Sequence, residues 1–328
     1  MNKRLILIVV TLSLVFSGMV GYHYYQHIFG NLINKTGAIY IRSTDNIDDV
    51  EKALNAAHAI EVFHNFSLIH DDIMDNAPLR RGKDTVYKKW NMPIAILSGD
   101  LMMIKATQLL CKTNDVDIRE LLDVFNNTAV EVCEGQQIDM NFETQKSVSH
   151  EEYLEMIKLK TAVLLGCSLK IGAIIGGANK EDAKHLYDFG INIGLAFQIQ
   201  DDILDSFGDG SITGKQVGGD IISNKKTLLL IELLGSVHKD DQLLLEKAMN
   251  NQNDNDKITV VLSLYNKYKI KEFAEDKKEI YLNLAYEHLS KVEIEESKKV
   301  IIIHTAQELM NRACLLYTSP SPRDRQKS

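Results

Sequence analysis

Proline is almost absent from this chain. Of four in 328 residues, two stand at 78 and 93 and two at 320 and 322, so residues 94–319 contain none. Average usage of about 5% would put roughly eleven in such a span. Proline removes a helical N–H and clashes with the preceding turn, so its absence points to a run of long helices. Cysteine is also scarce. Cys111, Cys133, Cys167 and Cys314 lie far apart with no C-x-x-C pair, so neither a disulfide framework nor a zinc site is expected and the thiols read as reduced. No lysine/arginine stripe exists: 37 basic residues face 45 acidic ones, for a net charge of −8. A nucleic-acid partner is therefore excluded, because a phosphate backbone selects clustered positive charge. What is present, 45% hydrophobic and 25% charged residues, excludes disorder and a fibrous fold. The length suits about two domains or one large all-helical domain with an ample core.

Apolar residues recur at three- and four-residue steps, as in Leu121, Leu122, Phe125, Ala129 and Val132, and strand-type alternation is scarce. The pattern predicts an all-α domain with helices near 52–76, 93–112, 117–142, 149–175, 180–207, 225–236, 239–250, 256–269, 271–290 and 293–312. Ser149 with Glu152 reads as a capping box, and Asn179 with Asp182 as a similar cap.

Asp71-Asp72-Ile73-Met74-Asp75 returns as Asp201-Asp202-Ile203-Leu204-Asp205, each time at the end of an apolar helical run. On a helix Asp71 and Asp75 fall about 40° apart, and the expectation is that Asp72 shares their face. Like charges so placed repel, and a counter-ion is required. Hard carboxylate oxygens with room for water favour Mg²⁺, with Mn²⁺ a second candidate. A single D-D-x-x-D is more often a solvated acidic turn. Two of them, each followed by basic residues, are not. Pro78-Leu79-Arg80-Arg81-Gly82-Lys83 follows the first cluster, and arginine forks suit diphosphate. Gly214-Lys215-Gln216-Val217-Gly218-Gly219-Asp220 and Asn224-Lys225-Lys226-Thr227 follow the second. Lys160-Thr161 opens a strongly apolar stretch, and Gln198 stands one turn before Asp201.

FHNFSLIHDDIMDNAPLRRGK and FQIQDDILDSFGD with TGKQVGGDI and NKKT together resemble the trans-polyprenyl diphosphate synthases, in the family's motif order over residues 53–312. The resemblance implies an isoprenoid-synthase helical bundle, a homodimer, and a deep cavity between the aspartate-bearing helices. It implies condensation of an allylic diphosphate with isopentenyl diphosphate, releasing pyrophosphate, which can itself accept the proton. Three Mg²⁺ per active site would be held by Asp71, Asp75 and Asp201, with Asp72, Asp202 and Asp205 supporting. Arg80, Lys160, Lys215 and Lys225 match family positions that clamp the allylic diphosphate. Thr161 and Gln198 match those facing the allylic cation, and His64 and Arg81 those on the isopentenyl side. Phe66, with Ser67 beside it, lies about 7.5 Å below Asp71 along the helix at 1.5 Å per residue. An aromatic five residues before the first aspartate resembles farnesyl- or geranylgeranyl-type enzymes of C15–C20 product. Phe66 as simple core is the competing reading, and Phe63 an alternative floor.

The two ends differ from this middle. Lys3 and Arg4 precede an uncharged run, Leu5 to Gly21, and then Tyr22, Tyr24 and Tyr25, a membrane or signal anchor by flank and belt although short of a full span. Residues 26–52 look foreign to the family, and 1–50 faintly resemble the membrane-anchored start of endolytic murein transglycosylases. The tail at 313–328 resembles a translated sequencing adapter and is expected to be disordered. The family's G-G-K-R-x-R-P segment is not found, so impaired binding of isopentenyl diphosphate is expected. An anchor would place the domain outside the cytoplasm, where the family is expected to work. Two alternatives stand beside the synthase. A class I terpene cyclase would ordinarily replace the second D-D-x-x-D, and a silent membrane-anchored diphosphate-binding subunit should have relaxed some of the six aspartates.

Overall fold

The computed structural model describes residues 47–80, 82–114, 116–208 and 217–312, with backbone alone at 47–52 and 311–312. The anchor, the 26–46 stretch and the tail lie outside the described residues. Among those described the fold is all-α, as the proline gap and the apolar periodicity predict. The helices are α1 (Ile47–Met74), α2 (Val86–Lys89), α3 (Met92–Leu110), α4 (Ile118–Thr144), α5 (His150–Ile157) and α6 (Val163–Ile175). There follow α7 (Lys180–Phe207), α8 (Gly219–Ile222), α9 (Leu228–Ser236), α10 (Lys239–Met249), α11 (Asp254–Lys267), α12 (Ile270–Lys291) and α13 (Glu296–Arg312). A two-residue-per-strand hairpin, β1 (Leu79–Arg80) and β2 (Lys83–Asp84), pairs Leu79 with Asp84 and Arg80 with Lys83.

Helix starts follow the predicted chemistry. Ser149 and Glu152 form the reciprocal capping box of α5, and Asn179 accepts the Asp182 N–H at 2.7 Å. Three elements escaped the periodicity: the hairpin, α2 and α8, all too short to show a period. The predicted helix 149–175 is real but interrupted, since Lys158–Ala162 is a π-helical turn between α5 and α6.

The chain divides into two compact units. The first comprises residues up to Val132, Val163–Gly190 and Glu287–Thr305. Its centre is α6, where Val163 to Leu169 are all buried. The crossing of α6 and α7 is so close that a Cβ on Gly190 would lie 2.8 Å from the Gly166 backbone. In the same unit α1 packs against α3, and both helices carry small buried residues, Ala53, Ala56 and Ala57 on the first and Ala95, Gly99 and Ala106 on the second. The small faces draw the two axes together. A Cβ on Gly99 would lie 2.3 Å from His70 Nε2.

The opposite face of α3 is also apolar, and it is open. Leu97 is 67% exposed, Leu101 55% and Ile104 57%, and the 97/101/104 spacing sets them on one stripe. Among the described residues α3 is the helix long and apolar enough to cross a membrane, by length and composition only.

The second unit comprises Cys133–Ala162, Ile191–Tyr286 and the residues from Ala306. Its core includes Tyr153, Ile199, Ile203, Leu229, Leu233, Leu264 and Tyr265.

Candidate active site

The first aspartate cluster terminates α1. The turn after the helix is closed by the Ala77 N–H donating to the Asp72 carbonyl at 3.0 Å, with Asn76 in the left-handed region at φ 51°. Asparagine tolerates that conformation. Thr85, 3% exposed, donates its hydroxyl to the Ala77 carbonyl at 2.8 Å and so ties the hairpin back to the helix end. The hairpin delivers Arg80 onto the cluster. Its Nε donates to Asp72 Oδ1 at 2.7 Å and its Nη2 to Asp71 Oδ2 at 3.1 Å.

The three carboxylates do not share a face. Asp72 is 4% exposed, Asp71 half-buried and Asp75 exposed. The expectation of one face fails because a neighbour in sequence is turned by 100°, outside the 40° arc that Asp71 and Asp75 span. Burial pushes the Asp72 carboxyl up from its ordinary range, and the Arg80 guanidinium beside it works the other way.

Below this cluster lies an aromatic stack in the same unit. Phe66, 7% exposed, stands with its ring 4.8 Å from His70 and 5.4 Å from Phe63, and Phe63 is 5.3 Å from Phe125. His64 is half-buried, and its carbonyl accepts the Ser67 hydroxyl at 2.8 Å. Arg81 lies outside the described residues. The sequence reading missed His70, which props the Phe66 ring, because a lone histidine beside an aspartate motif carries no signal of its own.

In the second unit the same division recurs on α7. Asp202 is 4% exposed and accepts from the Tyr153 hydroxyl, from the Leu228 N–H at 3.3 Å and from Gln198 Nε2 at 3.3 Å. Its carboxyl is pushed up to about 7, chiefly by burial and then by the neighbouring Asp220, against the opposing influence of Tyr153 and Lys225. Asp205 anchors the loop after α7: its carbonyl accepts the Gly218 N–H at 2.7 Å and its Oδ2 the Asp220 N–H at 3.0 Å. Gly218 takes φ 83°, a conformation costly for any side chain. Asp201 is half-buried and Lys225 exposed, while Lys215 lies outside the described residues.

The π turn brings the remaining predicted residues together. Lys160 Nζ pairs with Asp139 Oδ2 at 2.6 Å, and Thr161 Oγ1 donates to Gln198 Oε1 at 3.3 Å. An inserted residue rotates the rest of the helix by about a quarter of a turn, which is how such bulges aim functional side chains. Two helix-interior glycines make room for it. A Cβ on Gly135 of α4 would lie 2.2 Å from the Lys160 nitrogen, and one on Gly194 of α7 2.5 Å from the Ala162 Cα. Asp139 was missed by the sequence reading, but Gly135 was its available signal. A glycine inside a helix costs about 1 kcal/mol against alanine and so marks a close approach. We expect Gly135→Ala to push the Lys160 backbone off the bulge, destabilising the fold by about 1–3 kcal/mol in chemical denaturation and reducing turnover. Wild-type stability and turnover in that variant would refute the packing argument.

Two carboxylate clusters on helix ends, each with its middle member buried and held, and each flanked by cations, are the chemistry of metal-assisted diphosphate handling. A model of the polyprenyl synthetase family matches residues 26–266. The chain belongs to the polyprenyl synthetase family. It is accordingly of the trans-prenyltransferase class. A short chain isoprenyl diphosphate synthase of Methanocaldococcus jannaschii is 45% identical over 210 residues, which are 64% of this chain and 64% of that protein. A geranylgeranyl diphosphate synthase of Saccharolobus solfataricus is 39% identical over 262 residues, 78% of this chain and 79% of that one. Among solved structures, the geranylgeranyl pyrophosphate synthetase of Pyrococcus horikoshii superposes with a TM-score of 0.76 at 31% identity, covering 93% of this chain and 85% of that one. The family match begins inside the stretch that looked foreign from its residues alone. Weak similarity there has no motif to carry it, whereas a whole-family model integrates small preferences over many positions.

Proposed function

We propose that this chain condenses isopentenyl diphosphate with an allylic diphosphate to give a C15–C20 polyprenyl diphosphate. The observation that carries the reading is the pair of aspartate clusters built alike, with Asp72 and Asp202 buried and bonded while their outer neighbours stand less buried. The names of the two relatives and the solved structure given above support the short-chain class.

Asp71, Asp75 and Asp201 are the candidate Mg²⁺ ligands, and their hard carboxylate oxygens fit that ion. Mg²⁺, when bound, neutralises charge developing on a departing diphosphate. Asp72, Asp202 and Asp205 act as supports: the first holds Arg80, the second fixes Tyr153 and the start of α9, the third fixes Gly218 and Asp220 at the start of α8. Arg80, Lys160, Lys215 and Lys225 bind the allylic diphosphate, with Arg80 and Lys160 exchanging their carboxylate partners for phosphate oxygens. Thr161 and Gln198 present oxygens toward an allylic cation, and His64 and Arg81 serve the isopentenyl diphosphate. Phe66, backed by His70 and Phe63, limits the product, with Ser67 at its side. The domain is read as cytoplasmic, where the family's substrates occur.

A homodimer completes the reading, and the open apolar stripe of α3 supports it as the face a second copy covers. Exposed leucines and isoleucines in a continuous stripe are costly in water and favour association. Leu97→Asp with Ile104→Asp is expected to halve the mass of the full chain in light scattering. A dimer that persists in that variant would exclude this face.

The function is tested with the full chain, Mg²⁺, farnesyl diphosphate and isopentenyl diphosphate, identifying products by mass. A geranylgeranyl product that disappears with a chelator supports the reading. Soluble, folded protein that gives no condensation with any allylic primer would overturn it.

A further inference from the structure

In the first unit, far along α7 from Asp201, a second group of ligand-type side chains converges. His185 and Asp188 stand three residues apart on α7, and His288 approaches from α12. His185 Nδ1 lies 3.1 Å from His288 Nδ1, and His288 Nδ1 lies 3.7 Å from Asp188 Oδ2. One ligand atom from each residue falls within 4.8 Å of the others.

Two imidazole nitrogens facing each other at that distance satisfy themselves only if one carries the proton and the other a lone pair. A cation between them lets both present lone pairs. Tetrahedral Zn²⁺ at about 2.1 Å from each nitrogen would set them about 3.4 Å apart, a few tenths of an ångström from the 3.1 Å observed. Burial lowers the His288 affinity for a proton, against the pull of Asp188. Asp188 is 21% exposed and is paired with Lys184, itself 70% exposed and able to swing away. His288 is 26% exposed, which leaves an entry path.

We propose that His185, Asp188 and His288 form a zinc-binding site, with water completing the coordination, that clamps the N-terminal half of α7 to the C-terminal end of α12. The donors set the metal class. Two imidazoles and one carboxylate suit Zn²⁺ or a neighbouring late transition metal, whereas the all-carboxylate clusters suit Mg²⁺. A zinc site was not expected from the cysteines, and none of the described ones, Cys111, Cys133 and Cys167, is among its ligands. Zinc here is structural and separate from prenyl transfer.

The test is a calorimetric titration of the full chain with Zn²⁺ in excess Mg²⁺, followed by Co²⁺ substitution read in the visible spectrum. One Zn²⁺ per chain is expected to persist in the Asp71→Ala and Asp201→Ala variants. It should be lost in His185→Gln and in His288→Ala, with a fall in affinity beyond the roughly 10–100-fold that removal of an outer-shell partner costs. Asp188→Asn should weaken it, and Zn²⁺ should raise the melting temperature of the wild type but of neither histidine variant. Zinc uptake unchanged by both histidine substitutions would overturn the site, as would no uptake beyond that lost with the aspartate clusters. In that case the two histidines are a hydrogen-bonded pair alone.

Discussion

Asp71→Ala and Asp201→Ala are each expected to lower prenyl transfer by at least on the order of 10²–10³-fold, the scale of losing one preorganised charge-stabilising contact, while leaving the helical circular dichroism unchanged. Neither side chain is fully buried, and removing either relieves repulsion among like charges rather than opening a hole. Asp202→Ala supplies the contrast. It should also remove activity, but by unsettling the fold, because it leaves the Tyr153 hydroxyl and the Leu228 N–H without their acceptor. Each orphaned buried donor costs about 1–3 kcal/mol, so its denaturation midpoint should fall while that of Asp201→Ala stays near wild type. Steady-state rates and urea curves on the three variants separate the roles. Retained turnover in Asp71→Ala or Asp201→Ala would sink the metal-ligand assignment, and equal stability of Asp201→Ala and Asp202→Ala would sink the division between outer and middle aspartates.

Phe66→Ala should lengthen the product by one or more isoprene units. The ring stands against His70 and Phe63, and it lies about 7.5 Å down α1 from Asp71 at 1.5 Å per residue. Removing it leaves the Phe63 ring, 1% exposed and braced by Phe125, as the next barrier about 4.5 Å further along. The lengthening should therefore be limited in the single variant and larger in Phe66→Ala with Phe63→Ala. Mass spectrometry of the diphosphates, dephosphorylated or intact, reads the outcome. If Phe66 is core alone, the variant loses about 3–5 kcal/mol of stability, as buried phenylalanine truncations do, with the product distribution unchanged.

The Phe66 expectation was within reach of the sequence, because it rests on spacing along one helix, and so were the metal-ligand candidates, because each D-D-x-x-D motif is local. The contrast with Asp202 was not, since its partners Tyr153 and Leu228 are distant in the chain. The 3.6-residue period places Phe66, Ser67 and Asp71 in order down α1 without any knowledge of what α1 touches. The capping box at Ser149 was legible for the same reason: its partner Glu152 lies three residues away. The family motifs are local too, which is why they could be read although the anchor-like start and the tail looked unrelated.

Other features depend on partners distant in the chain. That Asp72 is held by Arg80 requires the hairpin, and the hairpin is too short to leave a period. Lys160 meets Asp139 across 21 residues only because a π turn re-aims it, and that turn exists where Gly135 and Gly194 let the neighbouring backbones close in. The meeting of His185 with His288 spans 103 residues and has no sequence signature at all. The helical class, the two aspartate motifs and the class of chemistry were legible in the chain, since each is written in residue type and short-range spacing. Tertiary structure alone decided which aspartate of each triplet is buried, where Lys160 points and what stands behind Phe66, because burial and orientation are properties of packed neighbours and not of a residue or its spacing.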